Sequence, residues 1–319
     1  MTDSADEGAS TLAPDDAFAM LGDETRMEIL QALGNATEPV SFSELHDDVS
    51  VRDSGQFNYH LNKLVGHFVE QTEDGYRLRQ AGRRVIEAIL SGAVTKAPKF
   101  ELTTIDEQCH YCGAQIAVRY SEERVQIYCT NCEGAYASPR PTDEPDVPGD
   151  YGSLGAMLLP PAGVEGRTPE AAYRAAWTWG NLEILAMASG ICPRCSADTE
   201  PTIDICEDHN STEGICGSCG RRYAVFLTSN CTNCNYKIGG GLFLAFCTIT
   251  PLLSFLLEHD INPISPDVTD IHKLNRVHED YTEDILTINP LKVRLTTTIE
   301  GDEFALTVDE DLEISDVSY

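Results

Sequence analysis

Apolar side chains recur at three- and four-residue spacing through the first ninety positions, and alternation takes over after residue 100. Phe18 and Leu21 share one side of a helical pattern that starts at Asp15. Asp23, placed as an N-cap after Gly22, opens a second helix with Met27, Leu30 and Leu33 as its buried stripe, and Gly34-Asn35 stops it. Ser41-Phe-Ser-Glu44 reads as a capping box stapled by Val40 and Leu45, and its helix should bury Phe42, Leu45 and Val49. Asp53 caps the next helix, with Gln56 three residues on, and Phe57, Leu61, Leu64 and Phe68 form its apolar face. Val69–Thr72 and Tyr76–Arg79 then flank Glu73-Asp-Gly75, a hairpin signal. Gln80 to Leu90 is a last helix, apolar at Ala81, Val85, Ile86, Ile89 and Leu90, and Ser91-Gly92 ends it.

Helix, turn, helix and a small β-ribbon, in that order, predict a winged helix-turn-helix over residues 14–92, preceded by a disordered tail at 1–13 and followed by a linker at 93–107. At 100° per residue, the polar face of the helix after Asp53 carries Gln56, Tyr59, Asn62 and Lys63, side chains of the kind that meet base edges or phosphates in a major groove. Ser54 and Asn58 on the same helix, with Arg77 and Arg79 on the ribbon, complete the expected DNA contacts. Leu21-Gly-Asp-Glu-Thr-Arg26, followed by Ile-Leu and these helices, resembles the opening of ArsR-type winged-helix transcription regulators. Gly55-Gln-Phe-Asn-Tyr-His-Leu-Asn-Lys-Leu64 is similar to the recognition helix of the branch common in halophilic archaea. The resemblance implies double-stranded DNA as a partner. It also makes the last helix a candidate for a homodimer contact, the alternative being that it packs back on the domain's own first helix. Metal-sensing members carry a Cys-x-Cys pair near the recognition helix; residues 1–108 contain no Cys, so the resemblance does not extend to metal sensing.

The second half carries the metal chemistry. Cys109-x-x-Cys112 and Cys129-x-x-Cys132 enclose 16 residues holding two alternating runs, Gln115 to Tyr120 and Arg124 to Tyr128. Two knuckles joined by a hairpin are the pattern of a zinc ribbon, in which a two-residue gap lets one tight turn supply two sulfurs to a tetrahedral ion. An iron–sulfur cluster also takes four Cys. A second array holds Cys192/Cys195, Cys206/His209, Cys216/Cys219 and Cys231/Cys234, enough for two more ions and about three structural Zn²⁺ in all. The run Cys219-Gly-Arg-Arg-Tyr-Ala-Val with Cys231-Thr-Asn-Cys234 parallels Cys112-Gly-Ala-Gln-Ile-Ala-Val with Cys129-Thr-Asn-Cys132. That repeat favours sequential pairing: Cys216, Cys219, Cys231 and Cys234 share one ion, and Cys192, Cys195, Cys206 and His209 another. An interleaved arrangement would instead join Cys192/Cys195 to Cys216/Cys219. His209 is the weakest ligand, since a surface histidine in an acidic loop is the competing reading.

Around the knuckles, Pro139 to Gly149 reads as an exposed loop, and Thr168-Pro169-Glu170 starts an apolar helix running to about Ala188, with room beside it for a small effector. Leu242 to Cys247 reads as a buried strand with Cys247 a core thiol, Thr250-Pro251 opens a helix to Leu257, and Ile271 to Ile285 reads as another helix with His272 and His278 facing solvent. Leu291 to Ile299 and Glu303 to Val308 form a terminal hairpin about Glu300-Gly-Asp302, and Leu312-Glu-Ile-Ser could add a strand. The fold class is α+β and multidomain: the winged helix, then a zinc-ribbon-rich α+β domain over 108–319. That layout resembles the C-terminal domain that accompanies this winged helix in halophilic archaea.

Charge changes the picture once. The net charge is −30, with 52 acidic residues against 16 Arg and six Lys. A chain with 42% apolar residues and clear periodicity is not disordered. A carboxylate shell poor in Lys fits a cytoplasm of very high salt, where screening is nearly complete within a few ångströms. Residues 12–92 hold 14 acidic and seven basic side chains, so DNA binding would rest on shape and base contacts more than on phosphate neutralisation. The N-terminus is polar and acidic, and no apolar run reaches the ~20 residues of a spanning helix, so a cytoplasmic location with no membrane partner is expected. Twelve Cys in that compartment read as metal ligands rather than disulfides. The four-ligand sets leave no open position on the metal. His-Glu-x-x-His, Gly-x-Ser-x-Gly, a phosphate-binding Gly loop and a deaminase His-x-Glu are all missing, so no enzyme is expected. A basal-transcription-factor-like adaptor that contacts the transcription machinery is the competing role.

Overall fold

The computed structural model describes residues 12–137, 146–210, 214–264, 266 and 268–319, in two units, Met1–Lys96 and Ala97–Tyr319. Most of the expected tail and the core of the expected Pro139–Gly149 loop lie outside the described residues.

The first unit is built from α1 (Pro14–Leu21), α2 (Glu24–Asn35), α3 (Phe42–Asp47), α4 (Ser54–Leu64), β1 (Val69–Thr72), β2 (Gly75–Leu78) and α5 (Gln80–Leu90). Side chains start these helices where the sequence places them. Asp23 accepts from the Arg26 amide, Ser41 and Glu44 close the capping box reciprocally, and Asp53 accepts from the Gln56 amide at 2.7 Å. The fully buried core is apolar: Ile29, Leu30, Leu45, Phe57, Leu61, Leu64 and Val69 are at 0% exposure. Phe42 departs from expectation. Its ring meets Phe57 edge-on at 5.0 Å but remains 36% exposed. Phe18 is 75% exposed, so α1 packs through other positions. Glu28 ties the α3–α4 turn to α2 by accepting from the Ser50 amide at 2.8 Å. Val40 pairs with Tyr76 by two backbone hydrogen bonds, an isolated bridge that sets a third segment beside the β1–β2 ribbon. Gly75, at φ 142°, allows this, since a Cβ there would lie 2.4 Å from the Val40 carbonyl. The face of α5 packs back: Ile86 is buried, and a Cβ on Gly34 of α2 would meet it at 2.7 Å.

The second unit begins earlier than the sequence implies. Phe100–Gln108, within the expected linker, is strand β3, paired antiparallel with β4 (Gln115–Ser121), which pairs with β5 (Arg124–Cys129) and then β6 (Gly152–Leu158). The run Phe-Glu-Leu-Thr-Thr-Ile-Asp-Glu-Gln is charged enough to read as a connector; what makes it a strand is the partner edge of β4. The helix α6 (Pro169–Ala188), capped by Thr168, lies on this sheet and buries Tyr173, Ala176 and Trp177. A second sheet runs β7 (Thr199–Ile205), β8 (Val225–Cys231), β9 (Lys237–Gly241). Leu242–Phe246 is a turn of 3₁₀ helix and not the expected strand; the strand is β9, just before it, and Leu242, Phe243 and Phe246 enter the core from the helical turn. Cys247 is buried as expected.

α7 (Thr250–Glu258) is followed by α8 (Val268–Glu279), which starts earlier and ends sooner than expected. The chain from Thr282 turns instead to strand β10 (Thr282–Ile288), which joins the expected hairpin, β11 (Leu291–Ile299) and β12 (Asp302–Asp309), and the added strand β13 (Ile314–Ser318) in a four-stranded meander. His278 is a correction too. It falls on the α8 face of Ile271 and Leu274, and burial takes it to 7% exposure; His272 is half-buried. One apolar core runs through all three sheets of this unit. Among the described residues no helix is long and apolar enough to cross a membrane.

Candidate metal centres and candidate nucleic-acid interface

Three clusters in the second unit each bring four donor atoms within 4.8 Å of one another: Cys109, Cys112, Cys129 and Cys132; Cys192, Cys195, Cys231 and Cys234; and Cys206, His209, Cys216 and Cys219. The first is the ribbon the spacing predicts. Its knuckles sit at one end because β4 leads away from Cys112 and β5 returns to Cys129, with Ile116 opposite Cys129. The other two correct the expected pairing. β7 and β8 form an antiparallel pair with Thr199 opposite Cys231 and Ile205 opposite Val225. The knuckle before β7 therefore meets the knuckle after β8 at one end of the pair, while those after β7 and before β8 meet at the other. Neither the sequential nor the interleaved arrangement survives. The cause lies in the gap lengths. The 16 residues between Cys112 and Cys129 go out and come back, whereas the 11 between Cys219 and Cys231 contain the single strand β8, which at ~3.3 Å per residue separates those knuckles by about 20 Å.

The donor geometry fits a tetrahedral ion. Bonds of ~2.3 Å set ligand sulfurs about 3.8 Å apart. The structure has Cys109–Cys132 at 3.7 Å, Cys112–Cys129 at 3.4 Å, Cys192–Cys234 at 3.7 Å and Cys195–Cys231 at 3.4 Å. His209 Nδ1 lies 3.6 Å from Cys219 Sγ, so His209 joins its cluster. Backbone amides of the knuckles point at the sulfurs: Cys132 and Asn131 donate to Cys129, Asn233 and Cys234 to Cys231, and Ser218 to Cys216. These donors favour thiolate. The Ala197 amide, then the Asn233 side chain, holds Cys195 down at about 6, and the Asn210 and Cys219 amides hold Cys216 down at about 6. At Cys112 burial raises the thiol, but the Ala114 amide and the neighbouring thiols outweigh it and bring it to about 7. Burial pushes Cys132 and Cys206 up to about 11. Each cluster thus pairs one readily ionised thiol with others that a cation would have to deprotonate.

Several residues that the spacing did not single out support the centres. Gly152 faces the second knuckle of the ribbon so closely that a Cβ would sit 2.1 Å from the Cys132 carbonyl oxygen. Arg194, between Cys192 and Cys195, lies over the Tyr236 ring at 4.8 Å and reaches Glu183 of α6 at 2.7 Å; Glu183 also accepts from the Tyr236 hydroxyl at 2.7 Å. Tyr111 of the first knuckle hydrogen-bonds Tyr223 at 2.8 Å and the Glu279 carbonyl at 3.0 Å. Burial pushes the Glu279 carboxyl up to about 7, opposed by the Tyr223 hydroxyl, and takes His278 down to about 4. Glu183, set among apolar residues in the second half of α6, was the visible hint of the Arg194–Tyr236 contacts.

In the first unit, Ser54, Gln56, Asn58, Tyr59, Asn62 and Lys63 are all exposed on α4. Tyr59 is 60% exposed, and the Lys63 ammonium sits 5.6 Å from its ring centre. The ribbon arginines are exposed but engaged: Arg77 pairs with Glu70 at 3.0 Å, and Arg79 donates to the Gly66 carbonyl. His60, on the same helix, turns the other way and is buried with its Nδ1 3.2 Å from Asp23.

The chain is thus a two-unit α+β protein whose larger unit, among the described residues, carries three four-donor clusters that could each hold a metal ion. Residues 106–314 match the family model described as Domain of unknown function (DUF7351), and the chain belongs to that family. Residues 14–89 match the model described as Domain of unknown function (DUF7347). No match was found among the curated proteins or among the solved structures.

Proposed function

We propose that this protein is a sequence-specific, DNA-binding transcription regulator of an extremely halophilic cytoplasm, with an ArsR-type winged helix reading double-stranded DNA and a second unit folded around three Zn²⁺ ions. The observation that carries the reading is the asymmetry of α4. Phe57, Leu61 and Leu64 are fully buried on one side, while Gln56, Tyr59, Asn62 and Lys63 stand in solvent on the other. A helix held this way by its neighbours, with a ribbon beside it, can enter a major groove end-on to the bases. Arg77 and Arg79 would exchange Glu70 and the Gly66 carbonyl for phosphate oxygens, which keeps the electrostatic share of affinity small at high salt. Zn²⁺ suits tetrahedral sets of thiolate and imidazole with no open position, a structural role.

The test uses the full-length, metal-loaded chain and a pool of random-sequence duplexes at molar salt. The wild type should enrich one motif. Tyr59→Ala and Lys63→Ala should each weaken binding to it by about 1–3 kcal/mol, the value of a good base contact. Undiminished binding by both variants refutes the α4 face. No enriched motif, together with co-purification of an RNA polymerase subunit, favours the adaptor.

A further inference from the structure

Between the two cysteine-bearing sheets of the second unit lies a partly open cavity of about 270 Å³, just below the ~300–1,000 Å³ of drug-sized ligand pockets and so sized for a smaller molecule. One face of α6 forms a wall, with Tyr173, Trp177, Gly180, Asn181 and Ile184 at helical spacing. Tyr136 and Phe226 add two more rings. The polar end comes from His110 in the first knuckle and from His278 and Glu279 at the end of α8. Among the described residues no Lys or Arg lines it.

The polar groups divide into two kinds. Those on α6 are already engaged: Trp177 Nε1 donates to Asn275 at 2.7 Å, and the Asn181 amide donates to the Pro263 carbonyl at 2.8 Å. They brace α6 against α8 and the loop before it. The histidines are not engaged. Nε2 of His278 and Nε2 of His110 are buried without a hydrogen-bond partner among the described residues, and His110 Nε2 stops 3.9 Å from the Glu279 carboxylate, beyond hydrogen-bond reach. Two buried imidazoles and a carboxyl group at the end of an aromatic cleft form an arrangement that structure alone does not require, because leaving a buried polar atom unpaired is costly.

The geometry points to a binding site for a small, flat nitrogen heterocycle of one or two rings, neutral or singly positive, with aromatic rings against its faces and Glu279 accepting from its N–H. The aromatic walls suit a planar ring. A carboxyl group at the polar end, with Arg222 held over the Tyr111 ring at 3.9 Å and outside the lining, selects against carboxylates and phosphates. Because His110 lies between two metal-ligand cysteines, and Tyr111 beside it holds Tyr223 and the end of α8, the filled metal centre positions this polar end. The site goes beyond the DNA-binding reading and stands whether or not the first unit reads DNA.

The experiment is calorimetric titration of the full-length, metal-loaded chain with benzimidazole and with adenine, using benzoate as an anionic planar control. Quenching of tryptophan emission, which comes only from Trp177 and Trp179, gives a second readout. At least one heterocycle should bind about tenfold or more tighter than benzoate. A Cβ at Gly180 meets nothing nearer than Met157 at 3.8 Å, so Gly180→Leu extends into the cavity without displacing backbone and should abolish binding, while Gly180→Ala retains it. Glu279→Gln keeps the shape and should weaken binding about tenfold. The proposal is overturned if neither heterocycle binds, if benzoate binds equally well, or if Gly180→Leu with wild-type metal content still binds. Should Gly180→Leu lose metal, Glu279→Gln decides: unchanged affinity sinks the proposal.

Discussion

The two units reach order by different means. The first is a conventional apolar core, with Leu and Phe at helical spacing, side-chain caps at three helix starts and no Cys. The second also has an apolar core, yet its knuckles and the loops between them are polar and short of regular structure, and three four-ligand clusters gather them. Local propensity suffices where each helix carries its own start, stop and buried stripe. Loops that bury little apolar surface need another source of free energy, and a metal bound only by the folded arrangement would supply it.

Metal removal should have the largest effect. Structural Zn²⁺ contributes ~10–16 kcal/mol in small peptides. Chelation of the full-length protein should therefore shift tryptophan emission, all of which arises in the second unit, to the solvent-exposed value. Hydrogen-exchange protection of α2 and α4 should survive. Loss of that protection along with the emission shift would mean the first unit is not independent. A sharper version counts ions. Replacing Cys192 and Cys234 together by Ser should lower the metal content from about three to about two per chain, because both serve one centre; about one would mean they serve two.

In the other direction, Phe57→Ala removes a fully buried ring from the first unit and should cost ~3–5 kcal/mol. Melting of α2 and α4, followed by exchange, should drop while metal content stays at the wild-type value. A fall in bound metal would show that the second unit depends on the first.

The smallest effect is a proton. His259 Nδ1 lies 2.8 Å from the Phe255 carbonyl and Nε2 3.1 Å from Asp302, so both nitrogens donate only in the charged ring. The Phe255 carbonyl, then Asp302, raises its pKa. A base with a raised folded-state pKa contributes stability that is complete below the unfolded value of about 6.5 and is lost as pH rises through the folded value. The second unit's melting midpoint should fall slightly from about pH 6 to about pH 8, and the fall should shrink in Asp302→Asn. An identical slope in the variant would remove Asp302 from the account.

Much of this was legible in the chain. Capping residues placed α2, α3, α4 and α6 within a residue or two, because a cap is a local hydrogen bond whose donor and acceptor are three positions apart. The β4–β5 and β11–β12 hairpins were legible for the same reason: their turns, Glu122-Glu123 and Glu300-Gly301, are two residues long and adopt positive φ. All twelve ligand positions could be named from their knuckles.

What the tertiary structure alone decided is which knuckle shares an ion with which. An internal repeat argued for neighbours, but β7 and β8 run antiparallel past each other and bring the outermost and innermost pairs together at opposite ends. β3 is a strand only because β4 offers it an edge, and His278 is buried only because α8 lies with that face on the β11 sheet. The cavity between α6, α8 and the knuckles has no sequence signature, since its walls come from segments more than a hundred residues apart. Short-range chemistry is written residue by residue; distances between segments come from how strands and helices pack, and there the chain's order along the sequence is a poor guide.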